Sequence, residues 1–326
     1  MLTEILNRLE VLAGLNTEIE EARGISDGTW DSFKMTEKKK YIKEHPHSRF
    51  ALDPKYGMTK MLKTKMGGNS SKVNKSTSIK KSDGSYENYP YITDPSKIGK
   101  LLGNVKHKIN KDGTVDCFEN VLLKSDIIDK NGHFKIKFGK VHGNFVCHNG
   151  ISLTSLEGSP IEVSGNFDCS RCINLTSLEG APEKVGGNFN CYDCDNLTSL
   201  EGATKEVESF DCSRCRNLTS LKGGPEKVNG SFSCIECESL TSLKGAPKKV
   251  GGNFYCDYCI NLKSLEGAPK EVGESFSCME CKNLTSLKGG PEKVGGNFNC
   301  YFCESLKSLE GAPKEIGEKF IYPRRL

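Results

Sequence analysis

The chain has 326 residues, of which charged residues make up 27%, and a net charge of +4. That balance demands neither a nucleic-acid nor a membrane partner, and no stretch approaches the ~18 apolar residues needed to span a bilayer. Glu4, Arg8 and Glu10 interrupt the first residues, unlike the uncharged core of a signal peptide. The expected setting is therefore a reducing cytosol, in which the sixteen cysteines stay thiols.

Residues 1–52 read as a short helical anchoring segment. Leu2, Ile5, Leu6, Leu9 and Leu12 trace one stripe of a helix that Gly14 would stop. So short a helix is marginal alone in water, so its stripe should dock on its own chain or on a partner. Thr36 is placed to cap a second helix through Lys43, ended before Pro46. Residues 53–110 read as a flexible, lysine-rich linker, with Lys55, Lys60, Lys63, Lys65, Lys72, Lys75, Lys80 and Lys81 and no acidic side chain between Asp53 and Asp83. Weak, salt-sensitive contact between Lys55–Lys81 and nucleic acid is the alternative. Tyr56 is the only aromatic residue among these lysines, which weighs against it.

From about residue 111 the chain becomes periodic. Phenylalanine recurs at Phe145, Phe167, Phe189, Phe210, Phe232, Phe254, Phe276, Phe298 and Phe320, at intervals of 22 residues except for one of 21 between Phe189 and Phe210. In the unit beginning at Val250, Phe254 and Cys256 alternate around Tyr255, which predicts a short strand with both on one face. Cys259, Leu262 and Leu265 continue the buried set, and Gly267 and Pro269 turn the chain back with no room for a helix. Phe167, Cys169 and Cys172 fill the same core positions one full unit after Phe145. Residues 111–144 read as an N-terminal cap, with Val115, Cys117, Asn120 and Leu122 in the strand and turn positions of a degenerate first unit. Residues 145–326 read as the array, and Pro323 with the following arginines would blunt its last edge.

This pattern resembles the leucine-rich repeat, with Phe254 and Cys256 in the two strand positions and Cys259 in the Asn/Cys position. The resemblance covers residues 138–322 and implies a mostly β solenoid, a curved stack of short parallel strands with a thin, extended convex side. Each unit relies on its neighbours to cover it.

Seven units carry C-x-x-C, from Cys169/Cys172 to Cys300/Cys303. Two such pairs could form a four-thiolate zinc site, which with the lysine segment would make a zinc-dependent nucleic-acid-binding protein. The competing reading is packing. Seven pairs cannot be matched two by two, Gly150 replaces the second cysteine of the first unit, and both positions must face inward. Packing is the expectation, with no metal and no cofactor.

On each repeat strand, the residues between buried positions should face out. Among these, Tyr192, Tyr255, Tyr258, Tyr301 and Phe302 form the candidate protein-binding surface. The Lys/Glu pairs of the convex side read as a solvated face. The Asn-Leu-Thr sequons at Asn174, Asn196, Asn217 and Asn283 read as by-products of the repeat.

Units written Leu-Thr-Ser-Leu-Glu-Gly-Ala-Pro followed by Val-Gly-Gly-Asn-Phe resemble repeat proteins of tailed bacteriophages. The segments from Arg8 to Gly14 and from Tyr41 to Phe50 are similar to parts of phage virion-associated proteins. The resemblance implies an accessory component of a phage particle that makes protein–protein contacts with other phage structural proteins. The alternative is an effector that binds a host protein in the host cytoplasm. No histidine lies beyond His148 and no phosphate-cradling loop is present, so the repeats are expected to be non-enzymatic.

Overall fold

A two-residue strand has too few hydrogen bonds to stand alone, so its stability comes from identical strands above and below it. The computed structural model describes residues 91–149, 152–324 and 326, together with the backbone of strands Thr77–Lys80 and Tyr86–Tyr89. Its mostly β architecture is a parallel solenoid of 22-residue units, consistent with a leucine-rich-repeat-like array. The strands that start at each repeat phenylalanine stack in one ten-stranded parallel sheet, from Val121–Leu122 to Phe320–Ile321. Register is kept phenylalanine on phenylalanine, as in Phe254 on Phe276. From Phe145 to Phe298 the rings follow one another at 5.0 to 5.7 Å, close to the strand repeat. Such ring pairs contribute about 0.5–1.5 kcal/mol each beyond their burial.

The solenoid has a second ladder that the pattern did not reveal. Each unit forms another two-residue strand at its Glu/Lys-Val step, such as Lys249–Val250 beside Glu271–Val272. Val163, Val207, Val250, Val272 and Val294 point into the core. This ladder is split into a five-stranded and a six-stranded sheet, between Lys184–Val185 and Glu206–Val207. The break falls at the short unit, because the deleted residue lies in the corner between Val207 and Phe210. The phenylalanine ladder runs on through it, as Phe189 still pairs with Phe210. Thr204, in the place of a proline, is buried there and donates its hydroxyl to the Pro182 carbonyl at 2.6 Å.

The corners are as restrictive as the strands. Gly251 leads out of the valine strand, and a Cβ there would lie 1.8 Å from the Asn229 carbonyl oxygen one turn below. Gly267 closes the turn after Leu265 at φ 92°, a conformation glycine adopts without strain. Between these corners Leu262, Leu265 and their equivalents up to Leu306 are buried, and one apolar core runs from Ile98 to Leu306.

Two expectations need correction at the N-terminal end. Val115–Cys117 does not occupy the phenylalanine-strand position: it belongs to the valine ladder, with Cys117 beside Val141. Val121 takes the phenylalanine position instead, beside Phe145. Cysteine and valine alternation alone cannot tell the two ladders apart, whereas the hydrogen-bonded neighbour can. The linker expected over residues 53–110 also ends earlier. Pro95–Leu102 is a helix, capped by Asp94, whose carboxylate accepts the Lys97 N–H at 3.0 Å, and it buries Ile98 and Leu102. His107–Ile109 then pairs antiparallel with Val115–Cys117 and covers the first edge of the valine ladder. Upstream, Thr77–Lys80 pairs antiparallel with Tyr86–Tyr89. The remainder of the lysine segment and the stripe Leu2, Ile5, Leu6, Leu9 and Leu12 lie outside the described residues. No helix among the described residues is long and apolar enough to cross a membrane.

Candidate protein-binding surface

Each strand of the phenylalanine ladder has one residue whose side chain leaves the core, the one after the phenylalanine. In successive turns these are Asp168, Asn190, Asp211, Ser233 and Tyr255, and with Ile235 they line a groove of about 530 Å³ over the sheet. The carboxylates of Asp168 and Asp211 are the only charged groups in its lining.

The strand then gives way to a tight turn. The sequence pattern placed the two residues inside each C-x-x-C on a strand. The second of them instead adopts left-handed backbone geometry in every unit, at φ 55–59° from Asn149 to Phe302. The first needs its N–H satisfied, and the residue after the phenylalanine often does this. Asp168 accepts from the Ser170 N–H at 2.9 Å, Asn190 from Tyr192 at 2.9 Å, Asp211 from Ser213 at 2.9 Å and Asn299 from Tyr301 at 3.0 Å. Where serine follows the phenylalanine, the preceding turn supplies the acceptor. The Ser213 hydroxyl accepts from Ile235 at 3.2 Å, and the Asp257 carboxylate accepts from Met279 at 2.7 Å and from the Ser277 hydroxyl. Burial pushes the Asp257 carboxyl up from its ordinary value, partly offset by these two donors. Where aspartate or asparagine follows the phenylalanine, it thus serves as a backbone cap.

The cysteines behind this face form a ladder of their own. The second thiol of each pair donates to the carbonyl of the first cysteine one turn earlier, from Cys172 to Cys147 at 3.3 Å through Cys259 to Cys234 at 3.1 Å and Cys303 to Cys278 at 3.1 Å. All sixteen cysteines are free and buried. Burial pushes the Cys117 and Cys300 thiols up to about 12, which keeps them neutral and unreactive. Phe167, Cys169, Cys172, Phe254, Cys256, Cys259, Leu262 and Leu265 are all fully buried, the positions assigned to them as core. Among the described residues, no group of three or more His, Cys, Asp and Glu side chains is placed to hold a metal ion.

A further ladder escaped the sequence reading. The residue before most of the phenylalanines caps the corner of the next turn: Asn144 Oδ1 accepts the Asn166 N–H at 2.8 Å, and Ser231 Oγ accepts the Asn253 N–H at 3.1 Å. Its signal was present as Asn or Ser at that position in every unit until Lys319.

The five aromatic residues chosen from the sequence do not converge on one patch. Tyr255 lies in the groove. Tyr192 sits on the adjoining turn under the Arg214 guanidinium, 5.6 Å from its ring centre. Tyr258 and Phe302 occupy left-handed turn tips, 41% and 47% exposed. Tyr301 packs on Phe302 with ring centres 4.1 Å apart, beside Pro323 and Arg324. Aromatic character marked exposure but not which column of the solenoid a residue joins. Beside the groove the turn-tip charges are tied to one another, with Arg171 3.9 Å from Asp193 and Arg214 3.1 Å from Glu236. Compared with known proteins, the chain matches no family model, no curated protein and no solved structure.

Proposed function

We propose that this chain is a non-enzymatic binding or structural protein, an accessory component of a tailed-phage particle that displays its solenoid for protein–protein contacts. One observation carries the binding part of this reading. On a frame of repeated phenylalanines, cysteines and leucines, the changing residues that follow five successive phenylalanines, Asp168, Asn190, Asp211, Ser233 and Tyr255, line one groove. A rigid ladder with a variable face presents a preorganised surface, which lowers the ordering cost of binding. The phage assignment rests on the likeness of the repeat wording to phage-encoded repeat proteins.

Mass spectrometry of gradient-purified particles tests the assignment. The chain should appear at a fixed copy number per particle and should stay through a salt wash. Its absence from particles, together with a stoichiometric host protein recovered on the tagged chain from infected cells, would replace the virion reading by the host-effector one. Absence from both would overturn the binding reading.

A further inference from the structure

Asp168, Asp211 and Tyr255 follow the phenylalanines of alternate turns, with Asn190 and Ser233 between them. At the strand spacing of a parallel ladder, residues two turns apart lie roughly 10 Å apart. The ring spacings of 5.0 and 5.2 Å across the first interval and of 5.4 and 5.2 Å across the second agree with this. The groove therefore offers anionic, anionic and aromatic positions at one regular interval along the solenoid axis.

An extended β-strand laid along that axis would not match the interval. Its same-face residues recur every ~6.6 Å, and residues three apart point to opposite faces. A polyproline II segment does match, because it has three residues per turn and a rise of ~3.1 Å, bringing every third residue to the same face about 9.3 Å on. The geometry points to a polyproline II segment of a partner protein as the occupant, with cationic residues at its first and fourth positions and proline at its seventh. The inference rests on the binding reading above and names the chemistry of the partner.

Three further features fit that occupant. The groove lining carries two carboxylates and no cation, and the arginines of the adjoining turns are already engaged by Asp193 and Glu236. The carboxylates are preorganised, because one oxygen of each is held by a backbone N–H, Asp168 by Ser170 and Asp211 by Ser213. The second oxygen of Asp211 is left for a lysine or arginine, and that of Asp168 has only the His148 imidazole beside it, at 3.7 Å. Polyproline II carbonyls have no partner within their own helix. The Asn190 side-chain amide can donate to them from between the two aspartates, since its oxygen already caps Tyr192. Tyr255 and Ile235 supply the apolar wall on which a proline ring packs.

The test uses the full chain and a fluorescein-labelled peptide, Lys-Pro-Pro-Lys-Pro-Pro-Pro, followed by anisotropy at several salt concentrations. Two further peptides serve as comparisons, one with both lysines replaced by glutamine and one with the lysines adjacent. The expected result is preferential binding of the spaced-lysine peptide, weakening as salt rises. The double variant Asp168→Asn, Asp211→Asn should lower affinity roughly tenfold, as expected for two partly solvated ion pairs, and should flatten the salt dependence. It keeps the fold, because Asn190 and Asn299 already make the same cap. Tyr255→Ser, which places there the residue of its neighbours Ser233 and Ser277, should weaken the spaced-lysine and the glutamine peptides alike. Equal binding of the three peptides, or an unchanged affinity in the double variant, overturns the inference. Binding of none of the peptides but of a neutral, fluorescein-labelled β-linked oligosaccharide would make the groove a glycan site and overturn it equally. If the peptides fail while the chain remains on particles or on a host protein, only this inference falls. If the chain is found on neither, the binding reading falls with it.

Discussion

The two ladders of the solenoid are built mainly from two-residue strands, yet they tolerate damage differently. The phenylalanine ladder is continuous over ten strands and passes through the 21-residue unit without losing register. The valine ladder breaks at that unit. The difference lies in what backs each strand. Behind the phenylalanines stand stacked rings, thiols bonded to carbonyls and Asn or Ser caps, all reaching from one turn to the next. Beside the valines stand ion pairs such as Lys249–Glu271 at 2.7 Å and Lys293–Glu315 at 2.9 Å, between side chains more than half exposed. Register is held by short-range contacts shielded from water, and solvated charges add little to it.

The largest effect should come from truncating the stack itself. Phe254→Ala removes a fully buried ring between Phe232 and Phe276 and should cost about 3–5 kcal/mol, against about 2 kcal/mol for Val250→Ala. Urea denaturation followed by circular dichroism measures both, and an equal loss would show the ladders to be equivalent. A shallower transition in Phe254→Ala would show the array split into separately unfolding halves.

Alkaline pH provides a second way to break the comparison. The Cys117 and Cys300 thiols are held near 12 in the folded chain against an ordinary 9.0. The folded state therefore retains protons that the unfolded state releases, and stability should fall as pH rises above 9 and continue to fall toward 12. Urea midpoints at pH 7 and pH 10 check the sign, and an unchanged midpoint would place those thiols in contact with water. Reaction with a thiol reagent at pH 8 should be slow until urea unfolds the chain.

A smaller effect belongs to the thiol ladder. Cys259→Ala deletes the donor to the Cys234 carbonyl and a small buried volume, for an expected loss of about 1–2 kcal/mol. Cys259→Ser restores a donor and should recover part of the loss if the hydrogen bond matters, and none if only volume does. The smallest effect is expected on the outside: Lys249→Ala, despite its short contact with Glu271, should leave the unfolding midpoint where it was. A clear drop would show the ion-pair rows to be structural.

Much of this architecture could be read from the residues. Phe254, Cys256, Leu262 and Leu265 recur in every unit and Cys259 in all but the first, and a repeated apolar set has only one place to go, the shared interior. The cysteines could be assigned to packing for the same reason. The groove was less legible. Its lining residues Asp168, Asn190, Asp211 and Ser233 are ordinary surface types, whereas Tyr192, Tyr258, Tyr301 and Phe302 drew notice as aromatics and lie on other columns. The Asn and Ser corner caps were visible as a repeated letter, but only the next turn's N–H reveals what they do. Helix Pro95–Leu102 leaves little trace in the sequence, because it lies outside the periodic part and buries only Ile98 and Leu102.

By itself the sequence determined the period, the inward set and the mostly β character, because 22-residue repetition of large apolar residues admits little else. Only the tertiary structure decided that each unit has two strands, that C-x-x-C is a left-handed turn and that Val121 rather than Val115 begins the phenylalanine ladder. Those features are set by hydrogen bonds between residues 21 to 25 positions apart. Contacts between turns exist only when the turns are stacked, and no single unit encodes its neighbour's height.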